Sequence, residues 1–261
     1  MDKYSELWKY FVDKNDAEIR LSFEEIQDIV WIEIDHSFLT YKKNLEEYWY
    51  KVEKIFQKER FIVFKKLKQG CIVLTSCGIR NEEFKDKFYR IISKENLKSA
   101  KVLYITTASD GDNYEDKSWM EEEYETILEL GIDRNNIIEY KIGNSDININ
   151  SFDIMYMMGG NTFYLLDVIR KNFFDKDIRA FINTGKIYIG SSAGSEILGN
   201  SIDTAIGYDE NNVNMKDFTW LKIVNGLIIP HCNRKKQFIK NLKNRTEQKL
   251  YLLYDGDGII I

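Results

Sequence analysis

Three residue types that often identify a protein class are scarce in this sequence. Its 261 residues include three cysteines, two histidines and one proline. Cys71, Cys77 and Cys232 form no CxxC pair and are scattered along the chain, as are the two histidines. This pattern disfavours a disulfide framework and a zinc site, and it is typical of a reducing compartment.

Long apolar runs are absent as well. No stretch approaches the roughly 18 apolar residues that a membrane span needs, and the sequence opens without the basic start and apolar run of a signal peptide. We therefore expect a cytoplasmic protein with no membrane partner. A net charge of −5 with 30% charged residues describes an ordinary soluble surface, without general attraction to nucleic acid or anionic membranes.

Residues 69–261 contain short apolar runs that alternate with segments of helical spacing. The candidate strands are 71–76, 102–107, 136–140, 153–158, 187–190 and 227–230. The candidate helices are 82–92, 119–130 and 163–174. Strands that alternate with helices predict a three-layer α/β fold, with a parallel sheet covered by helices on both faces. Such folds bind ligands at the carboxyl ends of their strands.

Residues 1–68 have a different pattern and are expected to form a small separate α+β domain. Two helices are predicted, and Ser22 and Glu25 have capping-box spacing at the start of the second. The segment is acidic up to Thr40 and basic from Tyr41 onward. Because these charges nearly cancel, nucleic-acid binding is not favoured. Residues 1–68 are a candidate surface for a protein partner or for self-association.

The segment KIYIGSSAGSEIL contains the strongest motif. Residues 190–194, Gly-Ser-Ser-Ala-Gly, match G-x-S-x-G, in which a sharp turn between a strand and a helix exposes a serine hydroxyl. The motif makes Ser192 the candidate nucleophile. The N–H of Ala193, at the start of the helix that follows, is a candidate oxyanion donor.

His231 is the candidate general base. It follows the apolar run 227–230, which ends in the only proline, so a strand would deliver it to a carboxyl end. A neutral imidazole also needs a third group that sets its tautomer. We expect this acid between Ser192 and His231 in the sequence, or nearby in space. The candidates, in order of preference, are Asp209, Glu210 and Asp203.

A second glycine turn, Gly159-Gly160-Asn161-Thr162, lies between a candidate strand and a candidate helix. Adjacent glycines can direct backbone N–H groups toward a ligand, and Thr162 can cap the helix. Neither G-x-G-x-x-G nor G-x-x-x-x-G-K occurs, which disfavours nucleotide binding. The turn is therefore a candidate for a second oxyanion donor opposite the serine.

Three motifs in this order, GGNTFYLL, IGSSAGSEILG and LIIPHCN, resemble those of peptidase family S51, which includes peptidase E and cyanophycinase. IVLTSCGIRN also resembles the start of that family, so the resemblance covers about residues 70–261. It implies a flavodoxin-like fold similar to that of class I glutamine amidotransferases. It also implies that Ser192 is the nucleophile and His231 the base.

The resemblance further assigns the residues around the nucleophile. Gly160 and Ala193 would supply the oxyanion N–H groups, and Asn161 would lie beside the substrate. Family members use Asp or Glu as the acid, and Asp209 and Glu210 both fall in that window. The resemblance implies no metal and no organic cofactor. The expected substrate is a small peptide, because family members cut dipeptides or short acidic chains.

The sequence departs from the family pattern at two places. Ser191 precedes the nucleophile where peptidase E has a bulky aromatic residue, and CNRKKQF after the histidine does not match the aspartyl-specific members. Arg234, Lys235 and Lys236 in that stretch are candidates for contact with an acidic substrate group. The resemblance therefore does not transfer substrate specificity.

The expected function is that of a serine peptidase, similar to dipeptidase E, that acts through an acyl-enzyme on Ser192. One alternative is an esterase of the α/β-hydrolase type, which shares the serine turn but would carry an HGGG-type motif that is absent here. Another is a sensor or binding protein on the same fold, which would bind a ligand without turnover.

Overall fold

The chain divides into two units that each have their own hydrophobic core. The computed structural model describes residues 2–11, 14, 16–48, 50–66, 70–112, 115–144 and 147–261. One unit comprises Met1–Gln69 with Asn183–Gly185, and the other Gly70–Ile182 with Lys186–Ile261. Across the described ranges, no helix has both the length and the apolar composition that a membrane crossing requires.

The first unit combines short helices with a three-stranded antiparallel sheet. The strands are β1 (Glu18–Ser22), β2 (Tyr50–Phe56) and β3 (Phe61–Lys66), in the spatial order β1-β3-β2. The helices are α1 (Ser5–Tyr10), α2 (Phe23–Val30) and α3 (Phe38–Tyr41), followed by a 3-10 helix (Lys42–Tyr48). The predicted capping box is confirmed, since Glu25 N–H donates to Ser22 Oγ at 3.1 Å and Ser22 N–H to Glu25 Oε2 at 2.7 Å. The unit is thus a small α+β domain.

A six-stranded, largely parallel sheet forms the centre of the second unit. The strands of this unit are β4 (Ile72–Thr75), β5 (Val102–Ile105), β6 (Ile137–Tyr140), β7 (Ile154–Met157), β8 (Ile187–Ser191), β9 (Leu227–Ile229), β10 (Leu250–Leu252) and β11 (Gly258–Ile260). The sheet has the order β11-β4-β8-β7-β5-β6, and only the β11–β4 pair is antiparallel. β4, β5 and β7 are buried along their whole length, as expected for parallel strands covered on both faces.

Helices connect most of these strands. They are α4 (Glu82–Tyr89), α5 (Lys94–Ser99), α6 (Ser118–Glu129), α7 (Thr162–Lys171), α8 (Asp175–Asn183), α9 (Ala193–Glu196) and α10 (Lys236–Lys243). The predicted helix at 163–174 ends earlier, at Lys171, and Phe173 follows in the left-handed conformation, with a φ of 55°. The alternation of strands and helices confirms the predicted α/β fold.

The strand that leads to His231 lies outside the central sheet. β9 pairs in parallel with β10, with Leu227 opposite Leu250 and Ile229 opposite Leu252. Because the two strands run in the same direction, the segments that follow them also lie side by side, and the Cys232 N–H donates to the Leu253 carbonyl at 3.0 Å. Side chains just after β9 and β10 therefore come together.

The carboxyl ends of neighbouring central strands are aligned. Thr75 at the end of β4 lies opposite Ser191 of β8, and Gly190 of β8 lies opposite Met157 at the end of β7. With this register, the residues that follow the three strands meet at one edge of the sheet. This is the edge at which open α/β sheets bind their ligands.

Candidate active site

Ser192 occupies a strained turn between β8 and α9. Its φ of 45° and ψ of −111° lie outside the regions that L-residues usually adopt. Packing excludes side chains on both sides of it: a Cβ on Gly194 would lie 2.0 Å from the Met157 carbonyl oxygen, and one on Gly190 would lie 2.5 Å from the Gly194 oxygen. The glycines of the motif are therefore required by close packing, and the serine between them lines a cavity.

The hydroxyl of Ser192 meets the imidazole of His231. Its Oγ lies 3.1 Å from Nε2, within hydrogen-bond distance. Burial lowers the pKa of His231 below its usual 6.5, although the hydrogen bond and the charge of Asp255 oppose this effect. At neutral pH the imidazole is therefore neutral, which is the state that a general base needs in order to accept the serine proton.

The acid beside His231 is Asp255, which corrects the prediction of Asp209 or Glu210. Asp255 Oδ1 lies 2.6 Å from Nδ1 of His231. Asp209 instead accepts a hydrogen bond from the Thr162 N–H at 2.7 Å, at the start of α7. Asp255 reaches the imidazole because β9 and β10 are parallel neighbours.

The remaining two acid candidates also lie elsewhere. Glu210 is exposed, and its backbone carbonyl accepts a hydrogen bond from the Asn161 amide at 2.8 Å. Asp203 is exposed and accepts a hydrogen bond from Ser201 Oγ at 2.7 Å. The expectation that the acid precedes His231 in the sequence is therefore wrong. A signal for Asp255 does exist, since it follows the apolar run 250–253 as a polar residue beyond a strand end.

Asp255 is fixed by several hydrogen bonds. It accepts from Ser76 Oγ at 2.9 Å and from the Asn233 amide at 2.8 Å, and the Arg234 guanidinium lies 3.2 Å away. Partial burial would raise the pKa of Asp255, but the hydrogen bonds from Asn233, His231 and Ser76 outweigh it and lower the pKa to about 2. The ionised carboxylate can therefore hold the proton of His231 on Nδ1 and leave Nε2 free to accept.

Ser76 is a further site residue that the motifs did not identify. Its Oγ accepts a hydrogen bond from the His231 backbone N–H at 2.7 Å and donates one to Asp255. A hydroxyl offers one donor and two acceptor positions, so Ser76 can join both neighbours at once. It orients the base and the acid relative to each other. Its sequence signal is its position directly after the buried strand β4.

The second glycine turn lies beside the nucleophile, since a Cβ on Gly159 would be 3.1 Å from Ser192 Cβ. Gly160 has a φ of 134°, and a Cβ there would lie 2.5 Å from the Ala108 carbonyl carbon. Asn161 is buried: its Oδ1 accepts from the Tyr164 N–H at 2.9 Å as the N-cap of α7, and its amide donates to Glu210. Both ends of its amide therefore hold the turn together, and its position beside the substrate stays a prediction.

The two predicted oxyanion donors, Gly160 and Ala193, have different surroundings. Gly160 lines the cavity in front of Ser192. Ala193 is fully buried and is the first residue of α9, where the backbone N–H has no acceptor within the helix. Both N–H groups remain candidate oxyanion donors.

The cavity has a volume of about 690 Å³, within the range of small-molecule sites. Of the three cations predicted to meet an acidic substrate, Arg234 lines the cavity but is already paired with Asp255. Lys235 is buried, with its ammonium over the ring of Tyr208. Among the described residues, no group of three or more His, Cys, Asp or Glu side chains is arranged to hold a metal ion.

Known proteins similar to this chain are peptidases. A model of peptidase family S51 matches residues 72–261. The uncharacterized peptidase Lmo0363 of Listeria monocytogenes is 31% identical over 144 residues, which cover 54% of this chain and 69% of that protein. A peptidase E of a Shewanella species is 35% identical over 102 residues, covering 39% of this chain and 42% of that protein.

Solved structures show the same fold. A crystal structure of a candidate peptidase E protein from Listeria monocytogenes has a TM-score of 0.62 and 26% identity, and the match covers 74% of this chain and 94% of that one. A peptidase from an acI-B1 Actinobacterium, with a TM-score of 0.51 and 17% identity, is similar in fold. The α/β fold and these similarities define a peptidase. The chain belongs to peptidase family S51.

Proposed function

We propose that this chain is a serine peptidase that hydrolyses small peptides, including dipeptides, through an acyl-enzyme on Ser192. The supporting observation is the pair of contacts made by His231, from Nε2 to Ser192 Oγ at 3.1 Å and from Nδ1 to Asp255 Oδ1 at 2.6 Å. A hydroxyl, an imidazole and a carboxylate joined in this order form a nucleophile, a base and an orienting acid.

In the proposed first step, Ser192 Oγ attacks the peptide carbonyl carbon while its proton passes to Nε2 of His231. The negative charge that develops on the carbonyl oxygen is stabilised by the N–H groups of Gly160 and Ala193. Asp255 stabilises the imidazolium ion. The C–N bond then breaks, the leaving amine takes the proton from Nε2, and the acyl group remains as an ester on the serine.

In the proposed second step, water attacks the ester carbon and gives a proton to His231. The ester bond to Oγ breaks, the serine regains its proton, and the acyl group leaves as a carboxylic acid. Each step uses His231 first as a base and then as an acid, which suits an imidazole held neutral at the start.

The test compares wild type with two adjacent serine variants on a dipeptide library. Ser192→Ala is expected to lower kcat by at least about 10⁴-fold, because the nucleophile is lost. Ser191→Ala is the matched control, since the Ser191 hydroxyl is buried near Glu123 and forms no hydrogen bond of normal geometry with any described residue, and it is expected to retain most of the activity. A labelled fluorophosphonate should modify wild type and Ser191→Ala only.

Equal hydrolysis by wild type and Ser192→Ala would remove the nucleophile assignment. An ester panel turned over faster than every peptide would instead favour an esterase.

A further inference from the structure

The cavity beside Ser192 carries more negative than positive groups. Its two arginines already face carboxylates, Arg80 with Glu122 at 3.6 Å and Arg234 with Asp255 at 3.2 Å. Apart from the exposed Asp116, which accepts a hydrogen bond from the Ser118 N–H, three further carboxylates line the cavity and form no salt bridge with any described residue: Asp112, Glu123 and Asp209. In a partly desolvated site, the ionised form of an unpaired carboxylate is unfavourable unless a cation binds beside it.

Glu123, on the buried side of α6, is the most informative of the three. It is only 4% exposed, and its Oε1 has no hydrogen-bond partner in the described part of the chain. Burial raises the pKa of Glu123 to about 7, although the nearby hydroxyls of Ser191 and Tyr156 oppose the rise. The Gly159 N–H opposes it as well, but among the described residues neither hydroxyl forms a hydrogen bond of normal geometry.

Glu123 lies close to the reacting atoms. A Cβ added to Gly159 would be 3.8 Å from Glu123 Oε2 and 3.1 Å from Ser192 Cβ. Glu123 Oε2 and the carbon that bears the nucleophile are therefore at most about 7 Å apart. A substrate group bound by Glu123 would lie within a few bonds of the attacked carbonyl.

Asp112 and Asp209 border the same glycine turn. Asp209 accepts the Thr162 N–H two residues after Gly160. Partial burial, followed by the charge of Asp209, raises the pKa of Asp112 to about 6, although Lys117 opposes the rise. A cation placed between the two carboxylates would relieve this repulsion. Because no metal-holding cluster occurs among the described residues, the fitting cation is an organic ammonium or guanidinium group.

We infer that this cavity binds peptides that carry a cationic group on the acyl side of the scissile bond, with Glu123, Asp112 and Asp209 as its counter-charges. The inference rests on the proposed peptidase function. The leaving amine takes its proton from His231, so the leaving group lies beside His231. The charged residues that act on His231 are Asp255, Lys235 and Arg234. Asp112, Glu123 and Asp209 border the glycine turn and are not among them, so we assign these three carboxylates to the acyl group.

This substrate class is opposite in charge to the acidic peptides that the family resemblance implies. An aspartyl side chain in this cavity would add a further negative charge, while both arginines of the cavity are already engaged. A cationic group has two sources in a peptide. The free N-terminal ammonium lies two bonds from the attacked carbonyl carbon, and a basic side chain reaches farther.

The experiment compares four substrates with the same leaving residue: Lys-Leu, Nα-acetyl-Lys-Leu, Nα-acetyl-Leu-Leu and Nα-acetyl-Asp-Leu. We expect kcat/KM for Lys-Leu to exceed that for the two substrates without a cationic group, Nα-acetyl-Leu-Leu and Nα-acetyl-Asp-Leu, by about tenfold or more, the scale of a charge-assisted hydrogen bond. If acetylation of Lys-Leu removes the gain, the N-terminal ammonium is the bound group. If the gain survives acetylation, the lysine side chain is the bound group. A preference for Nα-acetyl-Asp-Leu, or equal rates for cationic and neutral substrates, would overturn the inference.

Variants test the residues directly. Glu123→Gln and Asp112→Asn keep the side-chain size and remove the charge, so each is expected to raise KM for Lys-Leu about tenfold more than it raises KM for Nα-acetyl-Leu-Leu. Glu121→Gln, an exposed position on the same helix, is the matched control. If Glu123→Gln does not fold, Asp112→Asn carries the test, since Asp112 is only partly buried. Equal losses on charged and neutral substrates would contradict a charge-specific role.

Binding to Ser192→Ala separates this inference from the proposed function. Calorimetry should show a lower Kd for Lys-Leu than for Nα-acetyl-Asp-Leu. If the preference is found while wild type hydrolyses no peptide, the peptidase proposal fails and the charge inference stands. If wild type hydrolyses Nα-acetyl-Asp-Leu best and Ser192→Ala binds it best, the charge inference fails and the peptidase proposal stands.

Discussion

At the scale of single residues, the candidate site depends on which carboxylate meets His231. Asp255 lies 2.6 Å from Nδ1, whereas Asp209 caps α7. A carboxylate at Nδ1 selects the tautomer whose Nε2 can accept the serine proton, and an amide in its place can hold the wrong one. The assignment can therefore be tested by changes that preserve shape and remove charge.

Asp255→Asn is expected to lower kcat by about 10⁴-fold, because the asparagine amide can stabilise the unproductive tautomer. Glu210→Gln, at a position that sequence order favours but the structure leaves exposed, is expected to change kcat less than twofold. The measurement is the steady-state kcat of wild type and both variants on one peptide that wild type hydrolyses. A larger loss of kcat in Glu210→Gln than in Asp255→Asn would indicate that the acid precedes His231 in the sequence.

The pH dependence of the reaction follows from the pKa of His231. Burial lowers the pKa of His231 below 6.5, and only the neutral imidazole accepts the serine proton, so activity should rise with pH through a midpoint below 6.5. The measurement is kcat/KM from pH 4 to 9 on Nα-acetyl-Leu-Leu, a substrate without a cationic group that Glu123 would bind. A midpoint clearly above 6.5 would mean that the protonated form of His231 is stabilised instead.

At the scale of elements, the serine turn is formed by close approach of β7, β8 and α9. A Cβ on Gly194 would lie 2.0 Å from a backbone oxygen of Met157, and backbone atoms cannot move aside as a flexible side chain can. The same closeness holds Ser192 at a φ of 45°. The strain of the nucleophile is therefore maintained by the packing of whole elements.

Gly194→Ala is expected to destabilise the fold by about 1–3 kcal/mol, the usual cost of overpacking, and to lower the midpoint of thermal unfolding by about 2–4 °C per kcal/mol. Gly131→Ala is the control. Gly131 has a φ of 90° with no described atom within 4 Å of an added Cβ, so it measures the cost of a positive φ without a clash, a cost that Gly194 does not carry. No loss of stability in Gly194→Ala would show that β7 and α9 can move apart.

At the scale of the whole molecule, a buried carboxylate that would bind a cationic substrate when ionised also lowers the stability of the fold when it ionises. Burial raises the pKa of Glu123 to about 7 and that of Glu196 to about 8, the latter against the opposing charge of Lys235. Below about pH 4.5 these groups are protonated in both the folded and the unfolded chain. As the pH rises, the unfolded chain ionises first, so each group lowers stability progressively up to its folded-state pKa.

Wild type is therefore expected to lose stability between about pH 5 and 8, and Glu123→Gln should lose less. At pH 8 the variant should be more stable than wild type by about 1–3 kcal/mol, since it lacks a buried carboxylate to ionise. Thermal unfolding at pH 5 and pH 8 measures the difference, and Glu121→Gln should follow wild type. A Glu123→Gln variant that is less stable than wild type at pH 8 would mean that the carboxylate is satisfied in the folded protein.

The sequence by itself determined the α/β fold, the serine turn and the pair formed by Ser192 and His231. These features are local, because the glycines of G-x-S-x-G and the apolar runs before each polar residue are read from neighbouring positions. The capping box of α2 is local in the same way.

Only the tertiary structure decided which acid completes the site and what the charge of the cavity is. Asp255 reaches His231 because β9 pairs with β10, Ser76 arrives from β4, and Glu123 turns inward from α6. Strand pairing and helix orientation depend on contacts between distant parts of the chain, so the order of residues favoured Asp209, Glu210 and Asp203 as acids and did not identify Asp255.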